Sequence, residues 1–154
     1  MSKDETVQEN AQKKVMTREV STQEMKGFLA KYDKKGAKKG KHTDTYIEEE
    51  FETCLEALEA GNLVFNEHKV PTLTLFEPLY KNAENQALVK KTVTFKSRIR
   101  QAEKVLVMDG LNLEKQQGTY VLKVMSYMTQ LSLTDIKNLE SEDYEILNQI
   151  CSVF

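Results

Sequence analysis

Apolar residues recur along this chain with two different periods, and the change between them divides it. From position 111 to 154 the spacing is helical: Val121, Val124, Met125 and Met128 share one face, with Lys123 and Gln130 left to water. After a break at Leu131-Ser132, the polar residues Thr134-Asp135 and then Ser141-Glu142-Asp143 supply capping groups. Tyr144, Leu147, Cys151 and Phe154 then repeat at three and four, so the pattern predicts a helix, a short helical turn and a helix.

Toward the N-terminus the pattern is sparser. Residues 2 to 13 carry almost no apolar side chains, too few to offset the entropy of ordering, and a mobile tail is expected over 1–20. Ser21 and Glu24 form a capping box ahead of Met25, Phe28, Leu29 and Tyr32, a short first helix with a narrow apolar face. Lys34-Lys35-Gly36-Ala37-Lys38-Lys39-Gly40-Lys41 follows, a basic stretch with two glycines and nothing to bury, which predicts a flexible linker over 34–42. Thr45 and Glu48 open a second helix whose Ile47, Phe51, Cys54, Leu55 and Leu58 share a face, and Gly61 stops it. Residues 21–61 therefore read as a helical arm, a hairpin with one apolar side.

From Leu63 the period becomes two. Thr72-Leu73-Thr74-Leu75-Phe76 alternates, as do Val89, Lys91, Val93 and Phe95 against their neighbours, which predicts two strands joined by a wide loop from Glu77-Pro78 to Leu88. A lone ribbon is marginal in water, so Leu63 to Phe65 is a candidate third strand. A helix from Ser97 to Met108 is expected with Ile99, Ala102, Val105 and Leu106 inward, ended by Asp109-Gly110. The order implies an α+β fold in which a β ribbon or three-stranded sheet is covered by about three C-terminal helices, a compact unit over 62–154 behind the arm.

Composition narrows the function. The chain has 154 residues, enough for one domain, and a formal net charge of -2, so no bulk attraction to nucleic acid or acidic membranes is expected. The polar N-terminus lacks the apolar core of a signal peptide, and no apolar run is long enough to span a bilayer. Cys54 and Cys151 lie among apolar helical positions, the signature of buried free thiols in a reducing cytosol, and neither is marked by a base that would make it a nucleophile. His42 and His68 stand without ligand-spaced partners, and Glu48, Glu49, Glu50 and Glu52 form a charged helix face, so no metal, cofactor or paired-carboxylate chemistry is expected. The segment from Gly36 to Thr43 resembles a phosphate-binding loop only superficially, being one residue short between its glycines and lying between helices. Its lysines, Lys38, Lys39 and Lys41 above all, offer a second function: a small accessory nucleic-acid-binding factor using segment 34–41.

A resemblance bears on the first. Thr72-Leu73-Thr74-Leu75-Phe76-Glu77-Pro78-Leu79, then Thr92-Val93-Thr94-Phe95 leading into Ile99-Arg100-Gln101-Ala102-Glu103-Lys104, resembles the opening of the small tail assembly chaperones of contractile-tailed phages. The second half continues it with Met128-Thr129-Gln130-Leu131-Ser132, Thr134-Asp135-Ile136, Leu139, Glu142-Asp143-Tyr144 and a final Phe154. The similarity spans Val70 to Phe154 and leaves the N-terminal third unmatched; the turn after the apolar helix lacks the family's usual Gly, and the helix start at Ser97 lacks its usual Pro and Asp. The resemblance implies a non-enzymatic protein that binds the tape measure protein in the host cytoplasm, keeps it soluble until the tail tube polymerises, and is absent from the finished virion. Other tail proteins are further candidate partners, neither a small-molecule substrate nor a membrane is expected, and self-association is left open. An adaptable docking surface for such a chain is expected at Tyr120, Tyr127, Met128 and Met108, because methionine repacks readily against different partners.

Overall fold

The computed structural model describes residues 15–80 and 88–154, with the side chains of Leu88 and Val89 left aside. Most of the expected tail, and the 81–87 part of the wide loop, lie outside the described residues. Residues 15–20 do not belong to a tail: the Val15 amide donates to the Glu59 carbonyl at 2.7 Å, and helix α1 (Arg18–Tyr32) already begins there. Its cap is Thr17, whose hydroxyl accepts from the Val20 amide at 3.2 Å. Ser21, expected as the cap, is buried inside the helix and turns its hydroxyl back onto the Arg18 carbonyl at 2.9 Å.

The basic segment is folded, which corrects the flexible-linker reading. Asp33 ends α1 and starts the short helix α2 (Lys34–Lys38); its carboxylate accepts from the Gly36 amide at 3.2 Å and meets His42 Nε2 at 2.8 Å. Gly36 is buried between these two side chains, and a Cβ there would sit 2.8 Å from His42 Nε2, closer than real contacts allow. Bonding to His42, against a smaller opposing effect of burial, holds the Asp33 carboxyl below the usual range.

The single helix expected from Thr45 to Gly61 is two. Thr43 caps α3 (Asp44–Glu50), and α4 (Glu52–Ala60) follows after Phe51. The cause lies 95 residues away: Gln149 Oε1 accepts the Cys54 amide at 3.1 Å, taking it out of the i→i−4 ladder. Phe51 has no side-chain acceptor to cap α4, and Gln149 supplies the missing one. Gly61 ends α4 with φ +80°, as its position suggested.

Strands β1 (Leu63–Phe65), β2 (Pro71–Tyr80) and β3 (Leu88–Thr94) form an antiparallel sheet in that order, so the third strand is present. Leu63 pairs with Leu73 and Leu73 with Val93, aligning the buried face. Between Thr74 and Leu79 the register against β3 slips, which frees the Phe76 and Glu77 amides from the ladder. Both donate to the buried carboxylate of Asp143, at 2.9 and 3.1 Å, from helix α8 (Ser141–Cys151). Asp143 was expected among capping residues; α8 is instead capped by Glu140, which accepts from the Glu142 amide at 2.8 Å.

The remaining helices are α5 (Gln101–Met108), α6 (Gln117–Thr129) and α7 (Leu133–Lys137). The helix, turn and helix expected at the C-terminus are thus present as α6, α7 and α8. The turn after α6 lacks glycine, and Gln130 takes the left-handed conformation there, with φ +62°. Ser132 and Asp135 close a reciprocal cap on α7 at 3.0 and 3.2 Å.

One continuous apolar core joins the sheet to helices from both ends of the chain. Met25, Phe28 and Leu29 of α1 and Leu55 and Leu58 of α4 are as buried as Leu73, Met125 and Leu147. The rings of Phe28 and Phe65 stack with centroids 4.8 Å apart. The segment read as an arm therefore supplies part of the core. Helix α5 behaves in the opposite way. It starts three residues after Ile99's neighbour Arg98, none of its residues is buried, and Val105 and Leu106, expected inward, are 54% and 73% exposed. Ala102 is also exposed, and only Ile99, just ahead of the helix, packs against the core.

Candidate protein-docking surface

Helix α5 opens with a local device: Glu103 reaches back, and its Oε2 accepts the Arg100 amide at 2.6 Å. The same carboxylate bonds Tyr127 of α6, which holds Glu103 below and Tyr127 above their ordinary ranges. Lys96 Nζ lies 3.7 Å from the Tyr127 ring centroid. Tyr127, expected to face a partner, thus fastens α5 to α6.

Two adjoining clefts flank α5. The smaller, about 240 Å³, is lined by Tyr120, Val121 and Val124 of α6 and by Cys151 and Phe154 at the end of α8. The larger, about 710 Å³, has an apolar floor of Tyr32, Ile99, Val153 and Phe154. Lys104 of α5 and Phe154 line both, so the two clefts adjoin and are together called the groove. Phe154 is fixed by rings: its centroid is 5.0 Å from Tyr32 and 6.0 Å from Phe28. Tyr32 donates to the His68 carbonyl at 3.1 Å, and burial raises its pKa. The larger cleft is rimmed by Lys31, Lys34, Arg98 and Lys104, and no Asp or Glu side chain lines it among the described residues.

The four residues expected at a docking surface separate. Tyr120 lines the groove, Met108 is half-buried at the end of α5, and Tyr127 is engaged as described. Met128 is a correction: it is fully buried in the same core as Met125, because the apolar face of α6 packs inward against α8 and a core of this size needs its large side chains. Val121, placed by its spacing on the apolar face of this helix, is 36% exposed at the groove. Sequence reasoning missed Tyr32, Ile99, Val105, Leu106 and Phe154 as surface groups. The signal available was two adjacent apolar residues, Val105-Leu106, on a helix too short to bury both sides.

Lys38, Lys39 and Lys41 are all exposed, with Lys41 Nζ 5.1 Å from the Tyr46 ring centroid; none of them lines the groove. Both cysteines are free and buried; burial pushes Cys54 well above the usual thiol range and Cys151 up to about 12. Among the described residues no three His, Cys, Asp or Glu side chains gather as metal ligands would, and no helix is long and apolar enough to cross a membrane. The chain matches no protein-family model, no curated protein and no solved structure.

Proposed function

We propose that this protein is a non-enzymatic tail assembly chaperone that holds the phage tape measure protein soluble in the host cytoplasm until the tail tube forms around it. The observation that carries this reading is the apolar groove of Tyr120, Val121, Val124 and Phe154, together with the exposed Val105-Leu106 pair, which follows the groove residue Lys104 along α5. A concave apolar surface and apolar side chains of that size left in water suit the binding of an amphipathic helix, which lays its own stripe against them. A tape measure chain, long and helical with one apolar side, presents such stripes repeatedly. The surface differs from the one methionine spacing suggested, since Met125 and Met128 belong to the core.

Co-expression with the tape measure protein of the same genome tests the proposal. The soluble yield of tape measure rises and the two proteins co-purify. Val105→Asp with Leu106→Asp removes the effect while leaving the thermal melt of the chaperone itself nearly unchanged, because both side chains are already exposed. A tape measure protein that behaves identically with and without this chain refutes the reading.

A further inference from the structure

Three cations converge on the groove from three different parts of the chain: Lys34 from α2, Arg98 from the connection between β3 and α5, and Lys104 from α5. Among the described residues none of the three has an ion-pair or side-chain hydrogen-bond partner. A fourth, Lys31, donates to the His68 carbonyl on the same rim. This positive ring stands on a protein whose net charge is -2, while the exposed carboxylates Glu48, Glu49 and Glu50 lie on α3 and none lines the groove. Like charges gathered around an apolar floor repel one another in the free protein, and that repulsion is relieved by a partner bringing the opposite sign.

We propose that the groove selects an acidic amphipathic helix: an apolar stripe of Leu or Phe that seats on Tyr32, Ile99 and Phe154, flanked by Asp or Glu that meet Lys34, Arg98 and Lys104. The proposal rests on the helix-binding reading above and adds the chemistry of the segment that is bound. The apolar floor, with the Tyr32 and Phe154 rings packed at a tilt and Phe28 edge-on behind Phe154, favours side chains over a bare polyanion, so charge steers and orients while the apolar stripe supplies the burial. Within a long partner, only segments with acidic flanks are then held.

Fluorescence-anisotropy titration of the full chain with synthetic peptides tests this. The probe is an amphipathic helix with a leucine stripe and glutamate flanks; the comparisons are the same helix with lysine flanks, a glutamate peptide without leucine, and a single-stranded oligonucleotide. The glutamate-flanked helix binds at least about tenfold more tightly than any comparison, and its affinity falls as salt rises. The triple substitution Lys34→Glu, Arg98→Glu, Lys104→Glu reverses the preference toward the lysine-flanked helix, with circular dichroism showing that the variant is folded. Equal binding of the lysine-flanked helix, or no binding by any peptide, overturns the charge rule. Equal binding of the glutamate peptide without leucine removes the groove from the account, and tighter binding of the oligonucleotide replaces the helix with a nucleic-acid backbone. The two proposals fail separately: tape measure solubilised without any peptide preference sinks only this one, and acidic-helix binding without tape measure solubilisation sinks only the chaperone reading.

Discussion

Asp33, Asp143 and Gln149 each hold together parts of the chain that sequence inspection treats as separate. Asp33 turns a lysine-rich, glycine-containing stretch into a folded corner by bonding Gly36 and His42 at once. Its carboxyl titrates below the ordinary range because the ionised form is the one bonded, so its contribution is present above the unfolded-state pKa and lost as pH falls through the folded one. Asp33→Asn accordingly costs about 1 kcal/mol at neutral pH. In urea titrations at a series of pH values, that cost begins to shrink below the ordinary carboxylate range, about pH 4, and is gone once the folded carboxyl itself protonates at lower pH. A cost that is constant down to acid pH contradicts the assignment.

At the scale of elements, the joint between α8 and β2 is the one the fold depends on most visibly. The slip in the β2 register leaves two amides without strand partners, and the buried carboxylate of Asp143 accepts both. Removing it takes the acceptor from two part-buried amides together, so Asp143→Ala is expected to lower the unfolding free energy by roughly 1–3 kcal/mol, read from the denaturant midpoint at unchanged m-value. A loss under about 0.5 kcal/mol, the range of ordinary surface substitutions, means that the slipped strand satisfies its amides in another way. The break between α3 and α4 has the same character. Ile47, Phe51, Cys54, Leu55 and Leu58 repeat as one helix would, and that repeat is visible in the sequence. The interruption comes from Gln149 and is invisible in any window that stops short of it.

At the scale of the molecule, the boundary drawn near residue 61 separates a helical period from a strand period, and both sides feed one core. Phe28 stacks on Phe65 and touches Phe154, so a ring from each third of the chain meets there. A fragment holding only 62–154 loses the burial that α1 and α4 provide. It is therefore expected to show no cooperative thermal transition in circular dichroism, whereas the full chain unfolds in one step. A fragment that melts cooperatively restores the arm to an accessory role.

Much of the fold was legible because it rests on short-range pattern. Alternation marked β2 and β3, the marginal stability of a lone ribbon pointed to β1, spacing at three and four marked α6 and α8, and Gly61 marked the end of α4. The resemblance pointed to Tyr120 for the candidate surface, and Tyr120 lines the groove. Local pattern could not say which apolar residues stay outside: Val105 and Leu106 have the spacing of buried positions and are exposed, while Met128, expected at a docking surface for its adaptable side chain, keeps the buried place its spacing also allowed. Periodicity reports that a helix has an apolar side and is silent on whether the fold has a surface left to cover it. That answer, like the corner at Asp33 and the breaks made by Asp143 and Gln149, depends on groups brought together in space from distant positions, up to 95 residues apart. The cation ring of Lys34, Arg98 and Lys104 exists only once three such segments have met.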